Sequence, residues 1–277
     1  MGDSTADDID AHYSGSGDLL ARIMAGLAST GKAPETLTQS DLSTVDEFHI
    51  RGRAATLELA GLMQLNSASR VLDIGSGLGG PARTVADAFG CHVTGIDLTE
   101  VFCATGRAMS QWVGLDDKVT LLEGDATDMP FADESFDAAM TIHAAMNIAA
   151  KDRLYAETKR VLRSGGIFAV YDILQGEGGD VVYPVPWARD PGISHLATPE
   201  DMRWLLVDAG FSIMDEIDST GKSQAWFEEA VARATPGRPR VAAAQIILGE
   251  TYGPMAENQI LNLAERRIRT VAFICGT

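Results

Sequence analysis

The sequence predicts an α/β fold built on a parallel sheet with helices on both faces. Two observations lead to this prediction. From Arg70 onward, runs of strand-forming residues alternate with helical patterns. The first run, RVLDIG, ends in a turn with four glycines before a helical pattern resumes, at Gly75, Gly77, Gly79 and Gly80. Ligands of such folds bind at the carboxyl ends of the strands, so this turn marks the expected site.

The predicted elements of the core follow one another in regular order. The predicted strands are residues 69–75, 91–97, 118–125, 135–144 and 167–173. The predicted helices between them are residues 80–90, 99–114 and 151–166. Before the core, an amphipathic stretch covers Leu19 to Leu27, and Ser43 or Thr44 is expected to cap a helix that continues through Met63.

Composition limits the function classes. The chain has 277 residues and 45% hydrophobic content, enough for a sizeable core. Its formal net charge of −17 repels phosphate backbones and argues against a nucleic-acid partner. No window approaches the roughly 18 apolar residues of a membrane span, and the acidic first residues lack an apolar core, so we expect a cytoplasmic protein. The cysteines are odd in number and far apart, and they predict neither disulfides nor a metal site: Cys91, Cys103 and Cys275.

The glycine-rich turn predicts that a ligand comes close to the backbone and meets the amides of the following helix. Gly75, Gly77 and Gly80 also satisfy the dinucleotide fingerprint G-x-G-x-x-G, which is a weak signal by itself. A nicotinamide oxidoreductase is therefore one alternative. The residues near this turn therefore have to show whether its ligand is a dinucleotide or a different molecule.

Three acidic residues favour a different ligand. Asp73 lies inside the first strand, where its negative charge suits a ligand with an ammonium and a sulfonium better than a pyrophosphate. Asp97 ends the second strand and is placed to accept both hydroxyls of a ribose. Asp125 follows the third strand, within reach of an adenine amino group. Simple capping of strand ends is the alternative explanation for all three.

Five segments together resemble the class I S-adenosylmethionine-dependent methyltransferases: VLDIGSGLGG, GIDL, GDATDMPF, FDAAMTIHAAMNI and VLRSGG. The resemblance covers residues 65–217 in order. It implies a Rossmann-like sheet of seven mostly parallel strands with an antiparallel last strand, and S-adenosylmethionine as the cofactor. It places the sixth strand at residues 211–218 and the seventh at residues 268–277.

The resemblance also implies which residues hold the cofactor. Gly75 and Gly77 would face its methionine part, with Asp73 nearby. Asp97 would bind the ribose and Leu98 the face of the adenine. The edge of the adenine is assigned to Asp125 and Ala126.

A closer resemblance rests on HYSGSGDLL, GLGGPAR, TIHAAMNI and PWA. These segments are similar to small-molecule methyltransferases that include sarcosine and dimethylglycine N-methyltransferases and the tocopherol and sterol enzymes. The betaine-pathway enzymes usually have an aromatic, Trp-Gly-rich segment after the first Tyr. This segment is absent here, so the resemblance does not identify the substrate. The implied division is an N-terminal helical lid at 1–64, the cofactor-binding core at 65–218, a helical insert over the substrate pocket at 219–267, and the last core strand at 268–277.

Histidines are the candidates for a general base. His143 follows the fourth strand, where the family places a residue whose backbone contacts the cofactor and whose side chain faces the substrate. His49 is the second candidate, since histidine titrates near neutrality. A hydrogen-bonded structural role is the alternative for both. Tyr13 is expected to close over the cofactor from the N-terminal segment, or else to belong to a disordered tail.

Aromatic and basic residues are the candidates for the substrate site. Tyr183 and Trp187 lie among prolines in a long connection and predict an aromatic wall for a methylated ammonium. Packing of the loop on the sheet is the alternative. Arg51 is a candidate clamp for a carboxylate, unless it pairs with surface acids. In the insert, Trp226 and Phe227 are the expected docking pair.

Several functions follow from these candidates. The first is methyl transfer by in-line displacement to a small acceptor, such as a sarcosine- or dimethylglycine-like amine. The alternative acceptor is a larger apolar molecule such as a quinol, a sterol or a polyketide. A protein that binds the cofactor without methylating is a further alternative. The expected partner is a small molecule, and the oligomeric state stays open, with a homodimer as one option.

Overall fold

The computed structural model describes residues 19–29, 36–232 and 243–277. In this part of the chain, seven strands form one sheet in the order β3-β2-β1-β4-β5-β7-β6. The strands are β1 Arg70–Ile74, β2 His92–Asp97, β3 Val119–Glu123, β4 Phe136–Ile142, β5 Leu162–Gln175, β6 Ser212–Asp218 and β7 Ile268–Gly276. Strands β1 to β5 pair in parallel, and β7 lies antiparallel between β5 and β6. This topology confirms the predicted fold class.

Helices cover both faces of the sheet. Those described are α1 Leu19–Ser29, α2 Gln39–Asp46, α3 Arg53–Gly61, α4 Gly80–Phe89, α5 Glu100–Trp112, α6 Lys151–Val161, α7 Pro199–Asp208, α8 Thr220–Ala232, α9 Ala243–Leu248 and α10 Tyr252–Ala264. One buried core joins α3, α4 and α5 to the sheet, and another joins α6 and α7 to its other face. Among the described helices, none combines the length and the apolar character that crossing a membrane requires.

Three glycines on different elements surround one leucine of β3. A Cβ atom added to any of them would lie 2.5 to 2.7 Å from a Leu121 methyl carbon. These glycines are Gly79 at the start of α4, Gly95 in β2 and Gly106 in α5. The buried Leu121 side chain therefore occupies the space that the three missing side chains leave, and the absence of those side chains lets two helices approach the sheet closely.

The continuous helix predicted from Ser43 or Thr44 to Met63 is wrong. Helix α2 starts earlier, with Thr38 as its N-cap in a capping box with Asp41, and it ends at Asp46. A turn over residues 47–52 separates it from α3. Arg51 and Gly52 take φ angles of 72° and 46° there, which no helix allows. The form of the turn depends on the burial of Glu47, His49 and Ile50, a long-range effect that the local helical pattern does not contain.

The helix predicted over residues 151–166 is too long. Helix α6 ends at Val161, because Leu162 already pairs with Phe136 as the first residue of β5. Gly165, with a φ of 76°, lies at an irregularity in this pairing, and the strand then continues to Gln175. The predicted sixth and seventh strands are present within one residue of their expected bounds.

Candidate functional site

A cavity opens where β1, β2, β4 and β5 end. Its floor follows the carboxyl ends of these strands at Gly75, Leu98, His143 and Ile173. Apolar side chains from the rest of the chain form its walls and roof, namely Phe48, Phe102, Met146, Ile148, Pro186, Trp187, Ile247 and Leu248. The site thus lies at the end of the sheet that the sequence predicts.

Glycine is required at two positions of the turn after β1. Gly75 has a φ of 73°, and a Cβ added there would overlap the Cβ of Ala144. Gly77 has a φ of 52°, and its N–H donates a 2.8 Å hydrogen bond to Oδ2 of Asp97. The two glycines therefore bring β1, β2 and the segment after β4 together around one open space.

The three predicted acidic residues have different environments. Asp97 lines the cavity, and its Oδ1 accepts a 3.0 Å bond from the N–H of Thr99. Asp73 is buried behind the turn, and its Oδ2 lacks a hydrogen-bond partner. Burial raises the pKa of Asp73 to about 8, with further contributions from the charges of Asp97 and Glu47.

Asp125 does not line the cavity. Its side chain is exposed, and its Oδ1 accepts bonds from both the backbone N–H and the hydroxyl of Thr127, at 2.7 and 2.8 Å. The carboxylate therefore closes the turn after β3. The neighbouring predicted residues Leu98 and Ala126 do line the cavity.

The structure brings the two predicted histidines together. Their ring centroids are 5.9 Å apart, and both rings line the cavity. His143 has a φ of 50°, and its backbone N–H donates a 2.8 Å bond to the carbonyl of Tyr171. Its ring lies 4.9 Å from the Tyr171 ring, and its buried Nε2 has no hydrogen-bond partner.

Both histidine rings are neutral at physiological pH. Burial lowers the pKa of His49 to about 4, and it lowers that of His143 well below its usual value. Nε2 of His49 lies 3.0 Å from the carbonyl oxygen of Gly52. A carbonyl oxygen only accepts, so Nε2 carries the ring proton.

A buried carboxyl group lies behind His49. Glu47 Oε2 is 3.5 Å from His49 Nε2, and the Glu47 side chain is inaccessible to solvent. Its two oxygens accept hydrogen bonds of 2.6 Å from the Thr56 hydroxyl and 2.5 Å from the Thr84 hydroxyl. Burial, with the charge of Asp46, raises the pKa of Glu47 to about 7. Sequence reasoning missed this residue because it lies within the helix that was predicted there.

A buried ion pair holds α2 against the glycine turn. Arg83 Nη2 donates a 2.7 Å bond to Asp46 Oδ2, and neither side chain is accessible to solvent. Arg83 also donates to the carbonyls of Leu78 and Gly106. The pair consequently fixes the last turn of α2 at the edge of the cavity, which Asp46 lines.

The predicted aromatic loop contributes one of its two rings. Trp187 lines the cavity, and its Nε1 donates a 3.0 Å bond to the Ser194 hydroxyl. Asn147 ties the loop to the sheet by donating to the carbonyls of Trp187 and Ile193, at 2.8 and 2.7 Å. Tyr183 is half-buried, packs against the buried apolar cluster that contains Trp187, and is not among the cavity-lining residues.

Arg51 is not in this cavity. Its guanidinium forms a 2.5 Å ion pair with Glu58, and the residue lines a separate cavity with Lys222 and Tyr171. The last predicted residue, Tyr13, lies outside the described residues.

Helices α9 and α10 of the insert form part of the roof. They contribute Ile247, Leu248 and the buried side chain of Gln259, none of which the sequence analysis singled out. Of the expected docking pair, Phe227 is buried in the cluster that contains Trp187, whereas Trp226 is 40% exposed. The sequence signal for the roof was the short apolar run QIIL, which predicts burial but not a partner.

The ionisable side chains of the cavity wall are carboxylates and histidines. Among the described lining residues, the ionisable side chains are Asp46, His49, Asp97 and His143, and there is no lysine or arginine. In the described ranges 19–29, 36–232 and 243–277, no three His, Cys, Asp or Glu side chains are placed to hold a metal ion. This wall suits a cationic or neutral ligand better than an anion.

Comparison with known proteins agrees with the geometry. Residues 72–170 match the family model described as a methyltransferase domain. A sterol 24-C-methyltransferase of Eremothecium gossypii is 37% identical over 160 residues, which is 56% of this chain and 43% of that protein. The chain spans less than half the length of the curated relatives it matches.

Solved structures share the fold over most of their length. Geranyl diphosphate C-methyltransferase from Streptomyces coelicolor A3(2), solved with S-adenosyl-L-homocysteine, gives a TM-score of 0.72 at 16% identity and covers 99% of this chain and 98% of its own. A putative sarcosine dimethylglycine methyltransferase from Galdieria sulphuraria gives 0.58 at 18% identity, with 81% and 83% covered. These likenesses extend the fold assignment beyond residues 72–170.

Proposed function

We propose that the chain, whose residues 72–170 match a methyltransferase domain, transfers a methyl group from S-adenosylmethionine to a neutral, largely apolar small molecule. The observation that carries the proposal is the composition of the cavity. One half consists of the glycine turn and the strand end at Asp97, and the other half consists of apolar side chains and two neutral histidines.

The residues at the strand ends fit this cofactor. We assign Gly75 and Gly77 to its methionine part and Asp97 to its ribose hydroxyls, and the support is that all three residues line the cavity. The unpartnered Oδ2 of Asp73 adds a buried acid that suits the two positive charges of the cofactor. Leu98 and Ala126 supply the apolar surface for the adenine. When bound, the cofactor supplies a methyl group that the sulfonium already activates.

The walls favour the larger apolar acceptor over a sarcosine-like amine. A carboxylate or a diphosphate in the cavity needs a cation beside it, because burying an unpaired charge is costly. The described wall has no such cation, since Arg51 lies in the separate cavity and Arg83 is paired with Asp46. The acceptors named for the sterol relatives are in keeping with this choice.

The protein has two tasks in the transfer. It holds the acceptor so that an electron pair of the acceptor, the methyl carbon and the sulfur lie in line, which supplies roughly 7 to 11 kcal/mol at the upper end. With S-adenosylmethionine bound, transfer would break its carbon–sulfur bond as the acceptor forms a bond to the methyl carbon, and S-adenosylhomocysteine would leave. An acceptor that starts neutral then loses a proton, and the neutral rings of His49 and His143 are the bases at the cavity wall.

A matched pair of acceptors tests the proposal. Radiolabelled S-adenosylmethionine is incubated with geraniol, geranyl diphosphate, sarcosine or a sterol with an unsaturated side chain, and label in each acceptor is counted. We expect geraniol or the sterol to be labelled about 100-fold faster than geranyl diphosphate, because the diphosphate charge has no partner in the wall. Preferred labelling of sarcosine or of the diphosphate contradicts the acceptor class, and failure to bind S-adenosylhomocysteine contradicts the function itself.

A further inference from the structure

The turn between α2 and α3 places a carboxyl group behind one of the two histidines. Glu47 has no solvent contact, and it faces His49 rather than a lysine or an arginine. A buried carboxyl without a cationic partner is unfavourable, so its presence here calls for a function. The transfer proposed above uses the histidines and leaves Glu47 without a role.

The hydrogen bonds give the arrangement a direction. The Nε2–H of His49 points to the carbonyl of Gly52 and, at 3.1 Å, to the hydroxyl oxygen of Thr56. The Thr56 hydroxyl in turn donates its proton to Oε2 of Glu47 at 2.6 Å. Nδ1 of His49 has no hydrogen-bond partner among the described residues, and the ring lines the cavity. One nitrogen is thus anchored toward the carboxyl group, and the other can take a proton.

The remaining charges around Glu47 and His49 belong to other pairs or act at longer range. Asp46 is paired with Arg83. The charge of Glu47 contributes to the raised pKa of Asp73. Arg53 lowers the pKa of Glu47, but its Nε is bonded to Gln39. On the cavity side the groups are His143 and Asp97, and on the far side Arg51, whose charge lowers the pKa of His49, is paired with Glu58.

We propose that Glu47 is a positioning residue that makes His49 the proton acceptor of the transfer. Through Thr56 it holds the Nε2–H away from the cavity, so that Nδ1 faces the acceptor. Its carboxylate also stabilises the positive charge that His49 gains when the proton leaves the acceptor. This inference rests on the proposed function. It gives the two histidines different roles, because His143 has no carboxyl group behind its ring in the described structure.

The effect of Glu47 on His49 can be measured without any acceptor. Protein with 15N-labelled histidine is titrated between about pH 5 and 9 with S-adenosylhomocysteine bound, and the ring signals of His49 are followed by NMR. In the unmodified protein, burial raises the pKa of Glu47 to about 7, so we expect its ionisation to shift these signals near pH 7. In Glu47→Gln the inflection disappears while the neutral ring keeps its Nε2–H. An inflection that persists in Glu47→Gln overturns the proposal.

A control and a second variant keep the titration decisive. Asp87→Asn removes an acid at the surface, 3.7 Å from Arg53, and should leave the His49 titration unchanged. Thr56→Val keeps the charge of Glu47 but removes the bridging hydroxyl, so the inflection should shrink. If Glu47→Gln does not fold, an unchanged inflection in Thr56→Val is the contradicting result.

The kinetic test separates positioning from simple packing. With geraniol as acceptor, single-turnover transfer should fall more than about tenfold in Glu47→Gln, and its rise with pH near 7 should flatten. Glu47→Asp should restore part of the rate, because the charge returns. A purely structural Glu47 would change the melting temperature but leave the pH profile of the folded protein as it was. If no acceptor is methylated, the proposed function fails, while the NMR titration still decides whether Glu47 acts on His49.

Discussion

The cavity has two halves that are built in different ways. The half that we propose for the cofactor, the cofactor half, is made of backbone turns at the ends of β1, β2 and β3, within residues 75–126. The half that we propose for the acceptor, the acceptor half, is made of side chains from segments that are far apart in sequence, residues 46, 48–49, 142–144, 146–148, 173, 186–187, 247–248 and 259. Backbone geometry requires glycine at two positions of the first half, whereas the second half needs only apolar volume and a base. The comparison teaches that the proposed cofactor half is specified locally and the proposed acceptor half by tertiary packing.

The Asp46–Arg83 pair joins the two halves, and breaking it should have the largest effect. Asp46→Ala leaves the Arg83 guanidinium buried without its counter-charge. We expect the free energy of unfolding to fall by about 3 to 5 kcal/mol, as it does when one partner of a buried ion pair is removed. Urea unfolding measures this loss. A loss below about 1 kcal/mol would mean that the halves are not held together by this pair.

Asp97→Ala should damage the cofactor half alone. Removing a charged acceptor of two ribose hydrogen bonds should weaken binding of S-adenosylhomocysteine by about 2 to 3 kcal/mol. Asp125→Ala is the matched control at the end of the next strand, and its exposed side chain, engaged with Thr127, predicts a smaller loss. Isothermal titration calorimetry compares the two. Equal losses would contradict the difference in their environments.

Asp73 should make the cofactor half sensitive to pH. Its pKa of about 8 means that the carboxyl is mostly protonated at neutral pH, whereas the positive charges of the cofactor favour the ionised form. Affinity for S-adenosylmethionine should therefore rise as the pH increases from about 6 to 8, by at most about tenfold per pH unit, and level off above the pKa. Calorimetry in buffers of different ionisation enthalpy should detect proton release on binding, and Asp73→Asn should abolish it.

Trp187→Phe should affect the acceptor half with the smallest effect of the four changes. The substitution keeps an aromatic ring but removes the bond to Ser194, which contributes about 1 kcal/mol to stability. We expect a melting temperature lower by a few degrees, weaker binding of geraniol and unchanged binding of S-adenosylhomocysteine. A change in cofactor affinity would show that the halves are coupled through the aromatic loop.

The sequence predicted which residues of the cofactor half lie together because the information is local, and their roles toward the cofactor stay predictions. Alternating strand and helix patterns and the glycine turn place Gly75, Gly77 and Asp97 within 23 residues of one another, so neighbours in sequence are neighbours in the site. The antiparallel last strand, β7, followed from the family resemblance rather than from these patterns.

The acceptor half was predicted less well because its contacts are not local. The helical pattern through Met63 concealed the turn at residues 47–52, whose form depends on the burial of Glu47 and His49. Arg51 was predicted to bind a carboxylate of the ligand because of its residue type. In the structure its backbone has a positive φ angle in this turn, and its side chain is paired with Glu58. Trp187 and Tyr183 had the same sequence signal, and only packing distinguishes them.

Leu121 packs against glycines of three other elements. Its side chain occupies the space beside Gly79, Gly95 and Gly106. A smaller residue at 121 would not by itself make room for alanine there. A Cβ at Gly106 would still lie 2.6 Å from the carbonyl oxygen of Leu78, a Cβ at Gly95 would lie 2.6 Å from the Ser76 side chain, and Gly79 keeps a φ of 76°. In an alignment of relatives, this would appear as glycine kept at the three positions for packing and backbone reasons, apart from any contact with a ligand.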